Sequence, residues 1–296
     1  MQNKVSSLDS VSLTVRELKN HVYTLSHEFG DRSTRKYHAM QQTAGYIADR
    51  LEACGLDVTE QSYHVVGRPV SNLIAELAGT DPTAEILIVG AHYDTCDNPG
   101  ADDNASAVAV LIEVAKKLSA SKTRRKIRFV AFVNEEPPYF QTEYMGSKVY
   151  ANKLRENGEK IYLAVILEML GYYSDEPHSQ KIPLPLVWKY PSTGNFLLAV
   201  GDKNSSAAME KLAGMFRRSC SLPLYELTKY SFIQGVDSSD HWSFWENGYP
   251  AIMITDTSYY RNPYYHTAGD TYEKLDYNRM AQAVEGNSAA ILELAK

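Results

Sequence analysis

Cysteine is scarce in this chain. Cys54, Cys96 and Cys220 are the only three in 296 residues, too few and too scattered for a disulfide framework or a thiolate zinc cage, and they read as reduced thiols. Long apolar runs are missing as well. Residues 1–10 lack the apolar core of a signal peptide, and no later run approaches the ~20 apolar residues of a membrane span. A soluble cytoplasmic protein with no membrane partner is the expectation. There is no excess of positive charge either: 30 basic against 36 acidic residues give a formal net charge of -6, which argues against nucleic acid as a partner. No Gly-x-Ser-x-Gly elbow occurs, no cysteine sits in a catalytic setting, and no glycine-rich loop offers a phosphate cradle. Nucleophile-based hydrolysis and nucleotide chemistry thereby lose their anchors. Repeats, low-complexity tracts and composition shifts are absent too, so with 44% hydrophobic content the expectation is one domain over 1–296 with a real core.

What is present is an alternation of strands and helices. Residues 10–29 and 36–54 have helical patterns; in the second, Met40, Ala44, Ile47, Leu51 and Cys54 share a face and Gly55 supplies the stop. Residues 57–66 and 70–77 read as strands broken by Gly67-Arg68-Pro69, a hairpin at a sheet edge. Further strands are predicted at 86–89, 127–133, 161–167, 196–200, 224–227 and 251–254. Helices are predicted at 147–157, 205–218, 239–246 and from about 278, and a helical pattern after residue 104 puts Val108, Leu111, Ile112, Ala115 and Leu118 on one side. Residues 171–195 form a long loop of the kind that often carries function. The expected fold is α/β, three layers α/β/α around a twisted, mostly parallel, mixed sheet.

The strands end in a repeated chemistry. Ile86-Leu87-Ile88-Val89 stops at Gly90-Ala91-His92-Tyr93-Asp94, and Pro99-Gly100-Ala101-Asp102-Asp103-Asn104 follows. The strand at 127–133 ends in Asn134-Glu135-Glu136, the strand at 161–167 in Glu168, and a tyrosine-rich loop carries Tyr265-His266. Strand carboxyl ends are where open α/β sheets hold ligands. Imidazole and carboxylate without thiolate suit Zn²⁺ or a similar first-row ion, and five such ligands suffice for two ions sharing one carboxylate. Binding to metal brings the pKa of water from 15.7 to about 7. A proton carrier is also needed, and the Glu135-Glu136 doublet offers a division of labour in which one binds metal and the other moves the proton. Asp94, two residues after His92, is placed to hold the imidazole's other N–H.

In this order the motifs resemble the M28 metallopeptidases, a family that includes di-zinc aminopeptidases. The resemblance runs from about residue 73 to 277. It rests on Gly90-Ala91-His92-Tyr93-Asp94, Pro99-Gly100-Ala101-Asp102-Asp103-Asn104-Ala105-Ser106, Asn134-Glu135-Glu136, Glu168 and Tyr265-His266-Thr267. It implies two zinc ions: His92 and Glu168 on one, Glu136 and His266 on the other, Asp103 between them. It further implies Glu135 as general base and acid toward a metal-bridging hydroxide, and Tyr265 as a donor to the scissile carbonyl oxygen. The implied reaction removes the N-terminal residue of a peptide, the substrate's α-amino group facing Glu135 and Glu168. Two departures stand out. Glu168 occupies the place of the family's usual Asp, and Pro137-Pro138-Tyr139-Phe140-Gln141-Thr142-Glu143 is longer than the plain turn of compact members, which bears on the pocket entrance. The rival readings are a glutaminyl cyclase-like or carboxypeptidase-like enzyme on the same scaffold, or an inert binding module.

Other residues draw plainer readings. His21, His27, His38, His64 and His178 are surface or hydrogen-bonded histidines, Cys96 is a loop thiol near the site, and Asp240-His241 has a helix N-terminal role. For Tyr259, Tyr260, Tyr264 and Tyr265, pocket lining and ordinary loop packing stand level.

Overall fold

The computed structural model describes residues 2–228 and 233–296. An eight-stranded mixed sheet has the order β1-β2-β4-β3-β5-β8-β6-β7, built from β1 Asp57–Val65, β2 Arg68–Leu77, β3 Ile86–His92, β4 Ile127–Phe132, β5 Ile161–Glu168, β6 Leu197–Gly201, β7 Leu224–Thr228 and β8 Ala251–Thr255. The four central strands β4, β3, β5 and β8 run parallel. β2 and β6 join them antiparallel, so the sheet is mixed toward both edges. Parallel central strands buried on both faces need apolar residues at consecutive positions rather than alternate ones. Ile88-Val89 and Val165-Ile166 meet that need with no exposure.

Alternation then sorts the strand side chains between two helical layers. Leu87, Val89 and Ala91 join the larger core, with α1 Gln2–Tyr23, α2 Tyr37–Glu52, α3 Ala107–Leu118, α5 Ser206–Ser219 and α7 Tyr277–Leu294. Ile88, Val130 and Phe132 face the other way, onto α4 Gly146–Glu156 and α6 His241–Glu246. The α/β/α expectation holds.

Three local readings are corrected. α1 begins at Gln2 rather than near residue 10. No glycine or proline interrupts residues 2–29, and the helix passes through a π turn to its stop at Gly30, φ 69°. The hairpin turn is shorter than Gly67-Arg68-Pro69. Val66 and Gly67, both with positive φ, form it alone, and Pro69 pairs with His64 inside β2. β4 pairs with β2 only from Leu73 onward, so the missing Pro69 N–H breaks no bond in the sheet interior. Finally, α3 is not one-sided: residues 107–115 are all buried, because the helix layer covers the face turned from the sheet. Glu113 is consequently buried, 3.4 Å from His21 Nε2 and 3.2 Å from Lys116 Nζ. His21, itself buried, also contacts the Tyr46 hydroxyl at 2.7 Å.

Candidate metal centre

Because the central strands are parallel, their carboxyl ends share one edge of the sheet. β3 delivers His92 and β5 delivers Glu168 as their last residues. After β4 the chain turns through Asn134, φ 60°, into Glu135 and Glu136, and the loop after β8 brings His266, φ 54°. Asp103 comes from the turn that precedes α3. His92, Asp103, Glu135, Glu136 and Glu168 are all less than 10% exposed.

Hydrogen bonds from distant parts of the chain fix these positions. Asn104 stands in for a strand partner beside Glu168: its Nδ2 donates to the Leu167 carbonyl at 3.1 Å and its Oδ1 accepts from Met169 N–H at 2.9 Å. Asp102 turns away, accepting from Gly171 N–H at 2.9 Å and Asn262 Nδ2 at 2.7 Å, while Asp103 faces the site. Asp94 sits 3.6 Å from His92 Nδ1, too far for a hydrogen bond. Its two oxygens instead accept from the Glu135 and Glu136 N–H groups, each at 3.0 Å. Its geometry therefore serves the glutamate doublet more directly than the imidazole.

Three buried residues that the sequence did not single out complete the frame. Asp270 accepts from the Asp102 and Asp103 N–H groups. Ser239 donates to Glu168 Oε2 at 2.6 Å. Arg32, 1% exposed, reaches the carbonyls of Tyr93, Leu25, Gly30, Pro99 and Gly100 at 2.7–3.0 Å. Gly100 is required here: its φ is +57°, and a Cβ would strike Asp103 O and the Thr95 side chain. No motif marked Asp270, Ser239 or Arg32 in the sequence, where an aspartate, a serine or an arginine near a turn is common. Ser239→Ala leaves Glu168 Oε2 without its donor. We expect metal affinity to fall about 10-fold or more with the fold intact, as read by competition with a chromogenic chelator.

Asp103 lies between two sets of donors. Its Oδ1 is 3.4 Å from His92 Nε2, which is also 3.4 Å from Glu168 Oε2. Its Oδ2 is 3.1 Å from His266 Nε2, which lies 3.2 Å from Glu136 Oε2. Glu135 stands to one side, its Oε2 3.9 Å from His92 Nε2. The electrostatics show a site short of positive charge. Burial pushes Glu136 up to about 8, with Asp103 adding to it, and burial likewise raises Glu135 well above the glutamate range. Burial opposes the charged form of His266, yet Asp103 and Glu136 carry it up to about 10. Burial also opposes the Asp103 carboxylate, but the two imidazoles overcome this and hold it low. His92 Nδ1 and Glu136 Oε1 are buried with no hydrogen-bond partner. Oxygen and nitrogen donors in excess of their protons, converging at these distances, fit divalent cations.

Over this acidic floor opens a cavity of about 250 Å³, walled by Phe140, Ile182, Leu186, Val236, Met253 and Tyr259. The loop 171–195 and the segment after the glutamate doublet both contribute to the wall, as their lengths suggested. Tyr259, Tyr260 and Tyr265 line the cavity, whereas Tyr264 packs on Tyr172. The Tyr265 ring stacks on His266 at 3.8 Å between centroids. Burial, with Asp103 and Glu136 nearby, raises its phenol far above the ordinary value, so it stays a proton donor. His241 Nε2 donates to the Val236 carbonyl at 2.9 Å.

A parallel-centred α/β sheet thus carries, at its strand ends, a donor cluster suited to divalent metal. Residues 72–291 match the model of Peptidase family M28, and the chain belongs to that family and is a peptidase. Uncharacterized protein YfbL of Escherichia coli (strain K12) is 37% identical over 280 residues, 91% of this chain and 85% of that one. A probable leucine aminopeptidase of Arthroderma otae is 26% identical over 71% of this chain, which spans about half (53%) of that protein's length. BSAP, a zinc aminopeptidase from Bacillus subtilis, superposes with a TM-score of 0.73 over 95% of both chains at 17% identity, a likeness of fold. No helix among the described residues is long and apolar enough to cross a membrane.

Proposed function

We propose that the protein is a zinc aminopeptidase acting as one catalytic domain over the whole chain, with two ions per molecule. His92 and Glu168 would hold one ion and Glu136 and His266 the other, with Asp103 shared between them. The observation that carries this reading is Asp103, which directs one carboxylate oxygen at each imidazole, 3.4 Å and 3.1 Å away. The ions, when bound, supply Lewis acidity and a water acidic enough to attack near neutral pH.

The remaining work falls to side chains. Glu135 belongs to neither donor set, and its burial beside them suits it to take a proton from the attacking water and return it to the departing amine. Asp94 positions it through the backbone. Tyr265, kept protonated, donates to the scissile carbonyl oxygen as that oxygen gains charge. The α-amino group of the substrate meets Glu135 and Glu168, and the apolar cavity takes the first side chain. A large aliphatic or aromatic first residue fits it better than a charged one.

The test is a substrate panel: leucine, phenylalanine, lysine and aspartate p-nitroanilides, their N-acylated forms, and peptides beginning with glutamine. Hydrolysis of the free leucine and phenylalanine compounds is expected, with their N-acylated forms at least about 100-fold slower, since an interaction with a charged amine is lost. Activity on blocked substrates alone refutes the aminopeptidase reading, and cyclisation of glutaminyl peptides moves the assignment to that reaction. Dialysis against a chelator is expected to abolish turnover, and re-addition of Zn²⁺ to restore it.

A further inference from the structure

The second donor set has a member that the proposed ligands leave out. The Cys96 Sγ, a carboxylate oxygen of Glu136 and a ring nitrogen of His266 all lie within 4.8 Å of one another. Glu136 is 4% exposed, and its Oε1 has no hydrogen-bond partner. Cys96 does not sit in a loose loop. Thr95 Oγ1 accepts from Arg32 N–H at 2.9 Å, Asp97 pairs with Arg35 at 2.8 Å, and Arg32 grips the Tyr93, Pro99 and Gly100 carbonyls on either side. Asp97, with φ 54°, sets a sharp bend directly after the cysteine. The backbone is therefore pinned on both sides of the thiol, and pinned donors lose little freedom on binding an ion.

We infer that Cys96 is a thiolate ligand of the second ion, joining Glu136, His266 and Asp103, and that it makes this position selective for thiophilic dications such as Zn²⁺ and Cd²⁺. On ligation the S–H bond breaks, an S–metal bond forms and the proton passes to solvent. The two positions would then differ in kind. The one at His92 and Glu168 offers only nitrogen and oxygen and accepts Mn²⁺ or Co²⁺ readily, whereas the one at Cys96 discriminates against hard ions. The inference rests on the two-ion reading above.

Cobalt(II) tests it on the whole chain. The metal-free protein is titrated with Co²⁺ and followed by near-ultraviolet absorption, where thiolate-to-cobalt charge transfer appears, with cobalt content measured in parallel. The expected result is two ions per chain with a charge-transfer band that arises with one of them. That band should vanish in Cys96→Ser and persist in Cys54→Ser and Cys220→Ser. In Cys96→Ser, Cd²⁺ should bind the second position about 10-fold or more weakly, while Mn²⁺ affinity stays within twofold. A merely structural cysteine would lower both alike. On the unmodified protein, alkylation of Cys96 read by mass spectrometry should be blocked by loading both ions, which tests the assignment without a variant. Two bound cobalt ions with no thiolate band, or alkylation unaffected by metal, overturns the Cys96 assignment and leaves the di-metal reading standing. Failure to bind any divalent ion overturns both.

Discussion

Glu135→Gln is expected to lower kcat by about 10²–10⁴-fold while zinc content stays at the wild-type value. The two glutamates of the doublet are adjacent, and Asp94 holds the backbone N–H of each at 3.0 Å, yet their side chains part. Glu136 Oε2 lies 3.2 Å from His266 Nε2, inside the donor cluster. The nearest imidazole nitrogen to Glu135 is 3.9 Å from its Oε2, and burial favours its proton-bearing form. An amide of the same shape fills the same space and accepts no proton, so it isolates the proton transfer from packing and from metal binding. Steady-state kinetics with a leucine anilide, together with elemental analysis of the same sample, gives both numbers. Retained turnover removes Glu135 from the mechanism, and a loss of zinc instead makes it a ligand.

Arg32→Met should cost about 3–5 kcal/mol of stability, one of the largest losses available from a single residue outside the apolar core. The guanidinium touches five carbonyl oxygens. Burial draws its pKa down to about 10, with Asp270 and Asp94 opposing the fall, so it remains charged at neutral pH. Methionine keeps much of the volume and none of the donors, and leaves those carbonyls buried and unpaired. Lysine retains the charge but lacks the planar fork, and should recover only part of the loss. Urea denaturation midpoints of the metal-free proteins measure this directly. Because the same carbonyls flank Cys96 and lead into Asp103, zinc affinity should fall alongside. An unchanged midpoint would show that water replaces the guanidinium without cost.

Much of the site was legible because its donors announce themselves chemically. A histidine or a glutamate doublet at the end of an apolar strand is conspicuous, and strand periodicity places it within a residue or two: His92 and Glu168 are the last residues of β3 and β5. The frame around them was not legible. Asp270 lies 168 positions from the Asp102 N–H it accepts from, and Ser239 lies 71 positions from Glu168. Nothing periodic links such pairs, and a serine, an arginine or an aspartate near a turn is ordinary in any sequence. The same reason explains Asp94. Two residues after His92 its side chain should keep the same side, but the chain leaves the strand at that point, so the periodicity that justified the expectation no longer applies.

By itself the sequence determined the α/β alternation, the strand ends, the family and a set of candidate imidazole and carboxylate donors, because these follow from hydrophobic period and side-chain chemistry. Only the tertiary structure decided which oxygen of Asp103 meets which imidazole, that Asp102 turns away, that Arg32 ties both ends of the loop around Cys96, and that this thiol lies beside Glu136 and His266. Those are matters of loop dihedrals and of contacts between residues far apart in the chain. Their geometry is set by the packing of every layer at once.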